Sequence, residues 1–373
     1  MRSVSKIIIF ACVCLALRLL LYKLMAIPFG GLATAMCQYD CGWYVRLAQD
    51  GYGSDSLYAN YLAIPNWAFF PAFPLLLRPF LALTPGMPLF TGLLVSNACF
   101  LGFAVVGALY LRATRPAADP LLWVVTLIIF PFGYIFSAIY SESLYDLLLI
   151  ASVLMLAKRR VMACAVLTAL LCATRPTGVL MLIPLGVERA LYLWSHRSDA
   201  DRLTHLGEAL LPVAIAPLGL SLYMLDQYVQ TGDALAFNHV QILWDRVWVG
   251  PYRTIADGLA AWDWYLVLQP KRIYSLSYDA AWALLGLGVA GWIAWRRRFT
   301  EAWLLAASIL LPASTALHSL PRFVATNPFF LLAVFDLVSR LNGRLAVAGS
   351  FAGMGLLHGV VLVFWFIAAN SVY

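Results

Sequence analysis

Long apolar segments recur along the entire chain and are separated by short polar or basic segments. A run of about 20 apolar residues has the length of a transmembrane helix. We predict eleven spans, of which the fifth and tenth are short: residues 4 to 27, 88 to 111, 118 to 138, 141 to 157, 161 to 174, 177 to 195, 206 to 225, 280 to 295, 300 to 317, 327 to 341 and 345 to 369. No remaining stretch is long enough for a separate soluble core, so we predict one all-α polytopic membrane domain over residues 1 to 373.

Basic residues collect at one set of span ends, which indicates the orientation of the chain. Fifteen of the 25 Lys and Arg residues lie there: Arg2, Lys6, Arg112, Arg115, Lys158, Arg159, Arg160, Arg189, Arg197, Arg202, Arg296, Arg297, Arg298, Arg340 and Arg344. Because cytoplasmic loops are enriched in Lys and Arg, we predict a cytoplasmic N-terminus and an extracytoplasmic C-terminus. The first apolar run lacks a small-residue cleavage site, and we interpret it as a retained helix rather than a signal peptide.

This orientation places two long segments on the extracytoplasmic side: the first long loop (residues 28 to 87) and the second long loop (residues 226 to 279). The first long loop contains the polar run CQYDCGWYVRLAQDGY, residues 37 to 52. At 3.6 residues per turn, one face of a helix here would carry Asp40, Trp43, Tyr44 and Leu47. We predict a helix lying along the membrane surface, with Asp40 near its N-terminus as a candidate catalytic base.

The first long loop continues into a run in which three prolines interrupt aromatic and aliphatic residues, NWAFFPAFPLLLRPFLAL. Each proline removes a backbone hydrogen bond, which disfavours a straight span. We predict instead an interfacial helix with four aromatic side chains at headgroup depth: Trp67, Phe69, Phe70 and Phe73.

The second long loop interleaves charged residues with Trp244, Trp248, Trp262 and Trp264. Tryptophans beside charged groups suit sugar stacking and hydroxyl recognition, because the ring offers an apolar face and a polar N–H. They are equally typical of an aromatic belt at the membrane interface. The sequence leaves both interpretations open.

Composition supports the membrane assignment. Hydrophobic residues make up 63% of the chain and charged residues 12%, with a mean hydropathy of +0.83, whereas a soluble domain carries about 25% charged residues. The net charge of +7 mainly reflects the orientation signals, and we expect no nucleic-acid partner. The chain has no Walker A loop, no GxGxxG after a strand and no HExxH, which argues against a nucleotide-driven pump.

Two of the seven cysteines lie outside the apolar runs. Cys37 and Cys41 flank Asp40 at a spacing that permits a disulfide in an oxidising compartment without requiring one. Too few thiol or imidazole groups lie nearby for a zinc site.

Five further ionisable residues stand at the predicted outer ends of spans, at the same level as Asp40: Glu142, Asp146, Arg175, His318 and Arg322. Two interpretations are open. The arginines snorkel to headgroups or pair with the carboxylates to hold the bundle together. Alternatively, a guanidinium binds a lipid phosphate and a carboxylate removes a proton from a hydroxyl.

Other charged residues in the spans have simpler structural interpretations. Arg18 and Lys23 lie in the outer half of the first span, where we expect them to snorkel. Asp336 and Arg340 are four residues apart, and we expect a helical ion pair between them.

Short runs spread over most of the chain resemble the GPI mannosyltransferase II family, class V of the phosphatidylinositol-glycan biosynthesis proteins, within the C-type (GT-C) membrane glycosyltransferase superfamily. They are YDCGWYVRLAQDGYG at 39 to 53, FFPAFPLLLR at 69 to 78, FSAIYSESLYDLLL at 136 to 149, ATRPTG at 173 to 178, HVQILWDR at 239 to 246, and PRF at 321 to 323 with Pro328 after it. They occur in the family's order. The family's first-loop pattern has a Trp-Asp pair, and this chain has Tyr39 in place of that tryptophan.

The resemblance implies a GT-C-like fold and an inverting transfer from a polyprenyl-phosphate-linked sugar, usually mannose. The chain is shorter than the eukaryotic members and looks more like their bacterial relatives, for which we expect the cell membrane. A eukaryotic member would be in the endoplasmic reticulum membrane. The acceptor would be an extracytoplasmic lipid or glycan, and membrane lipids surround the chain.

We predict Asp40 as the base and Glu142 as a second catalytic group that orients the sugar or acceptor or assists as a base. Arg175 and Arg322 would stabilise the leaving phosphate. His318, Tyr44, Trp244 and Arg246 complete the candidate substrate-binding set. We expect no cofactor beyond the lipid-linked sugar and no dedicated metal site, although Asp40 and Glu142 could share a divalent cation if they converge.

Two other classes of protein compete with this prediction. A transporter or flippase of a lipid-linked substrate predicts ionisable residues near the bilayer midplane and two related halves of the chain. A non-catalytic scaffold predicts that Asp40 and Arg322 are replaceable without loss of function.

Overall fold

A computed structural model describes residues 3 to 53, 66 to 198, 201 to 268 and 275 to 367, and the regular structure within them is helical. The α-helices are α1 (Val4–Met25), α2 (Leu32–Ala35), α3 (Cys41–Asp50), α4 (Ala72–Leu83), α5 (Pro88–Thr114), α6 (Pro120–Ile129), α7 (Glu142–Ala157), α8 (Val161–Cys172), α9 (Leu182–Ser195), α10 (Arg202–Ile215), α11 (Leu218–Thr231), α12 (Ala236–His239), α13 (Pro251–Ala260), α14 (Leu276–Trp295), α15 (Phe299–Ala313), α16 (Leu320–Thr326), α17 (Pro328–Val338) and α18 (Arg344–Phe366). Short 3₁₀ helices occur at Ile27–Phe29, Asn66–Ala68, Gly133–Ser137, Pro176–Met181, Val240–Trp244 and Trp264–Leu268.

Each predicted span coincides with a helix, and the all-α polytopic architecture is confirmed. Among the described residues, five helical segments are long and apolar enough to cross a membrane: α1, α5, Pro176–Ser195, α14 and α18. The pairs α10 with α11 and α16 with α17 also qualify if each is one bent span, with bends of 49° and 59°. The count of eleven is therefore not confirmed. Several predicted spans, such as α8 and α15, are apolar helices of fewer than 18 residues.

The core is built from helices that approach closely where side chains are small. On α11, a Cβ added to Gly219 would lie 1.8 Å from the carbonyl oxygen of Ala169 on α8. On α5, a Cβ added to Gly107 would lie 2.7 Å from the indole nitrogen of Trp123, which is fully buried on α6. Glycine at these positions lets α8 and α11, and α5 and α6, pack against each other.

The first long loop contains the predicted surface helix, α3, with Asp40 as its N-terminal cap residue. Trp43, Tyr44 and Leu47 are all buried on one side, which confirms the predicted face. The proline-containing run forms the short helix α4.

The prediction of headgroup-depth aromatics in this run is wrong for three side chains. Phe69, Phe70 and Phe73 are 9%, 3% and 0% exposed, because they pack inside the protein. Phe69 and Phe73 both lie edge-on to Tyr44, at centroid distances of 5.4 Å.

Two predictions about charged residues within spans are also wrong. Arg18 does not snorkel: it is 4% exposed, donates from Nη2 to Ser137 Oγ at 2.5 Å and stacks over Phe100 at 4.4 Å. Asp336 pairs with Arg298 at 2.6 Å and with Arg115 at 3.3 Å, whereas Arg340 stacks over a tryptophan ring. In both cases a partner distant in sequence replaces the predicted one, which was a lipid headgroup for Arg18 and Arg340 for Asp336.

Candidate active site

A cavity of about 1130 Å³ lies where the first long loop, the second long loop and the N-terminal end of α7 meet α15 and α16. All eight residues predicted as catalytic or substrate-binding line it: Tyr44, Asp40, Glu142, Arg175, Trp244, Arg246, His318 and Arg322. The structure therefore brings the whole candidate set together, although the set is spread over almost 300 positions of the sequence.

The backbone around Asp40 is fixed from three sides. Cys37 and Cys41 form a disulfide, with their Cα atoms 5.2 Å apart, because the chain turns before α3 begins. Tyr39 between them adopts a left-handed conformation with φ 46°. Tyr140 accepts a hydrogen bond from the Asp40 N–H at 3.1 Å and donates one to the Gln38 carbonyl at 3.0 Å.

Two carboxylates and two arginines form one continuous ion-pair network. Arg322 Nη1 donates to Asp40 Oδ2 at 3.2 Å, and Arg322 Nε lies 3.3 Å from Glu142 Oε1. Arg175 Nη1 lies 3.1 Å from the same Glu142 oxygen. The side chains of Glu142 and Arg322 are 3% and 5% exposed, whereas those of Asp40 and Arg175 are 21% and 20% exposed. The inner pair is thus shielded, and the outer two groups reach the cavity.

Local structure explains why these charges point together. Glu142 is the first residue of α7, where the positive end of the helix dipole favours an acid. Arg322 lies in the first turn of α16, which begins after Ser319 turns the chain with φ 72°. Arg175 lies in the turn between α8 and the next 3₁₀ helix, as the sequence predicts.

Aromatic rings that no sequence pattern singled out hold both guanidinium groups in place. The Phe323 ring centroid lies 4.6 Å from the guanidinium carbon of Arg175 and 5.1 Å from that of Arg322, so it contacts both arginines. Tyr140 lies 5.1 Å from Arg322. Cation–π contacts of this kind restrict the orientation of the guanidinium plane. The available signal was position: Phe323 follows Arg322 directly, and Tyr140 is two residues before Glu142.

Arg246 and His318 form a second polar pair on the cavity wall. Arg246 Nε donates to His318 Nε2 at 3.1 Å, which requires that nitrogen to be unprotonated. Burial, with Arg246 and Arg322 close by, lowers the pKa of His318 to about 3. His318 is therefore neutral near pH 7, and it can position Arg246 but cannot act as an acid there.

An aromatic wall faces the charged network. Trp43 stacks on Phe69 at 5.3 Å, and Trp244 meets both rings edge-on at 6.1 Å. The Tyr44 hydroxyl lies 2.9 Å from Ser141 Oγ, directly before Glu142. Trp244 thus belongs to the cavity wall, whereas Trp262, which is 77% exposed, retains the interfacial interpretation.

No group of three or more His, Cys, Asp or Glu side chains suited to a metal ion occurs in the part of the chain that the structure describes. The guanidinium of Arg322 contacts both Asp40 and Glu142, the two carboxylates that could share a divalent cation. The expectation of no dedicated metal site stays a prediction.

The fold is that of an all-helical, polytopic membrane protein, as predicted. No family model and no curated protein matches the sequence. The structure is similar to the apo oligosaccharyltransferase of Archaeoglobus fulgidus, with a TM-score of 0.50 and 10% identity over 99% of this chain and 56% of that chain. It is also similar to oligosaccharyltransferase AglB of Archaeoglobus fulgidus in complex with an inhibitory peptide and a dolichol-phosphate, with a TM-score of 0.47 and 11% identity over the same shares of the two chains.

This likeness concerns the fold alone. The chain spans just over half the length of the oligosaccharyltransferases that it matches. The resemblance to the GPI mannosyltransferase II family is not confirmed and stays a prediction.

Proposed function

We propose that the chain is a membrane glycosyltransferase that transfers a sugar, mannose, from a polyprenyl phosphate to a hydroxyl of a lipid or glycan acceptor, with inversion. The observation that carries this proposal is the convergence of Asp40, Glu142, Arg175 and Arg322 in the wall of one large cavity. The likeness of the fold to an oligosaccharyltransferase supports the same reaction type.

In the proposed reaction, Asp40 acts on the acceptor. The carboxylate removes the proton of the acceptor hydroxyl as that oxygen attacks the anomeric carbon. The bond from the anomeric carbon to the phosphate oxygen breaks, and its electron pair stays on the phosphate. A single displacement inverts the anomeric configuration, and a phosphate leaving group needs no general acid.

The arginines act on the leaving group. Arg175 contacts Glu142 through one nitrogen, and its partly exposed guanidinium presents further N–H donors towards the cavity. Arg322 orients Asp40 through Oδ2 and places positive charge beside it. Fixed cations next to a phosphate that gains negative charge stabilise the transition state more than the ground state. Glu142 holds both guanidinium groups in position.

We place the cavity on the extracytoplasmic side of the bacterial cell membrane. The positive residues of the sequence support this orientation. The disulfide between Cys37 and Cys41 also supports it, because disulfides persist in oxidising compartments and are rare in the cytosol.

The test compares Asp40→Asn with Asp50→Asn in purified, reconstituted protein supplied with labelled polyprenyl-phosphate mannose and candidate acceptors. Asp50 is exposed at the other end of α3 and provides the matched control. Loss of a general base lowers the rate roughly 100-fold or more. We expect that loss in Asp40→Asn and wild-type transfer in Asp50→Asn.

Near wild-type transfer by Asp40→Asn would remove Asp40 from the role of base. Movement of intact labelled lipid across the bilayer, without cleavage of the sugar, would replace the proposal with the flippase alternative.

A further inference from the structure

Asp146 is a buried carboxyl group that the proposed reaction does not use. It lies on α7 one helical turn after Glu142, is 2% exposed and lines the same cavity. Its Oδ2 atom has no hydrogen-bond partner among the residues that the structure describes. Arg175, a nearby cation, is instead bound to Glu142 and to aromatic rings.

An unpaired buried carboxyl oxygen is unfavourable, because its lost hydration is not replaced by a hydrogen bond. Such groups are rare in proteins, and this one lies in a cavity wall, where a bound ligand would supply the missing donor. Replacement by an apolar side chain of similar size would remove this cost. The sequence nevertheless has an aspartate here, which points to a functional role.

The depth of Asp146 relative to the reacting groups indicates which part of the ligand would reach it. The four-residue step from Glu142 to Asp146 corresponds to a rise of about 6 Å along α7. That distance is comparable with the width of a pyranose ring. A sugar whose anomeric carbon lies beside Asp40 and Arg322 can therefore direct a hydroxyl on its far side towards Asp146.

Neighbouring side chains have the chemistry of sugar recognition rather than phosphate binding. Ser308 and Thr177 also line this part of the cavity, and both lie beside the Tyr145 hydroxyl. Hydroxyl groups both donate and accept hydrogen bonds, as sugar hydroxyls do. The arginines, by contrast, are held by Glu142 at the outer end of α7.

We propose that Asp146 binds the transferred sugar by accepting a hydrogen bond from one of its hydroxyl groups, and that it determines which sugar the cavity takes. This inference rests on the proposed function and adds the recognition of the sugar to it. Asp146 is a binding residue in this scheme, because the proton of the acceptor goes to Asp40.

The test measures binding of two lipids to detergent-purified protein by ligand-induced thermal shift: polyprenyl-phosphate mannose and polyprenyl phosphate without a sugar. The proteins are the wild type, Asp146→Leu, Asp146→Asn and the exposed control Asp50→Asn. Leucine removes both acceptor oxygens at similar size, and asparagine keeps one if the leucine variant does not fold. A hydrogen bond contributes about 2- to 10-fold in affinity.

We expect wild type and Asp50→Asn to bind the mannose lipid about 2- to 10-fold more tightly than the bare lipid. Asp146→Leu should lose this difference while it retains binding of the bare lipid, and Asp146→Asn should lose part of it. The unliganded leucine variant should melt at or above the wild-type temperature, whereas removal of a structural residue would lower that temperature.

An undiminished preference for the mannose lipid in both variants would overturn the inference. Equal binding of the two lipids by wild type would also overturn it and leave the phosphate site of the proposed function in place. Loss of both lipids in a stable Asp146→Leu would show that Asp146 acts on the whole site and not on the sugar. A wild type that binds neither lipid would refute the proposed function itself.

Discussion

Arg322 offers the sharpest test of the ion-pair network, because it contacts both carboxylates. It is 4% exposed, lies 3.2 Å from Asp40 and 3.3 Å from Glu142, and stacks on two aromatic rings. The four-residue network has two negative and two positive charges. Arg322→Met preserves the apolar bulk of the side chain and leaves one unbalanced negative charge in the site.

The burial and the partners of Arg322 determine how much Arg322→Met should lower the free energy of unfolding. Removal of one partner from a buried ion pair costs about 3–5 kcal/mol in free energy of unfolding. Asp40 is partly solvated and Glu142 keeps Arg175, so we expect the lower end, about 3 kcal/mol. Combining Arg322→Met with Glu142→Gln restores neutrality. The double variant should therefore lose less stability than the sum of the two single variants, by about 1–3 kcal/mol.

The assay is reversible unfolding in mixed micelles, followed by tryptophan fluorescence. Arg253→Met is the matched control, because Arg253 pairs with Asp257 at 3.6 Å but the two side chains are 75% and 69% exposed. That surface pair should contribute at most about 1 kcal/mol. If Arg322→Met lowers the free energy of unfolding no more than Arg253→Met does, or if the double variant loses the sum of the two single losses, the ion-pair network does not stabilise the fold as proposed.

Three further predictions concern other parts of the chain. Because the pKa of His318 is lowered to about 3 from an ordinary 6.5, protonation of His318 in the unfolded chain lowers the stability of the fold as pH falls from 6.5 towards 3. The melting temperature of His318→Gln should therefore decline less over that range than the melting temperature of wild type, and an identical decline would contradict the lowered pKa. Reduction of the bridge between Cys37 and Cys41, or replacement of Cys37 by serine, should destabilise the chain by about 2 kcal/mol and slow transfer; unchanged transfer under reductant would show that the bridge does not position the base. Gly219→Ala should sharply lower the yield of monodisperse protein in size-exclusion chromatography, because its Cβ would lie 1.8 Å from a backbone oxygen of α8. Gly207→Ala places its Cβ in open space and should give the wild-type yield, and equal yields from the two variants would contradict the close packing of α11 on α8.

Local periodicity was sufficient to predict the helices and the face of α3. The spacing of Asp40, Trp43 and Tyr44 predicts a shared helical face, and the structure buries both aromatic side chains there. Charge placement at span ends likewise suggested that Glu142 and Arg322 belong to one site, and the structure places Arg322 Nε 3.3 Å from Glu142 Oε1. These features depend on neighbours within a few residues, or on distance from the end of an apolar run.

Interactions between distant segments were not predictable from the same signals. Arg18 bonds to Ser137, 119 positions away, although its place in the first span suggested an interaction with lipid headgroups. Asp336 has Arg340 one turn away but pairs with Arg298 on another helix. The bends of α10–α11 and α16–α17 also depend on packing, so the number of spans did not follow from hydropathy alone.

The most direct measurement of the central claim is incubation of the purified wild-type protein with polyprenyl-phosphate mannose labelled in the sugar, followed by separation of lipid from water-soluble or acceptor-bound label. We expect time-dependent release or transfer of the label with inverted anomeric configuration, at a rate roughly 100-fold or more lower with Asp40→Asn. Label that stays on the lipid for every polyprenyl-phosphate sugar and acceptor supplied would contradict the proposed transferase activity.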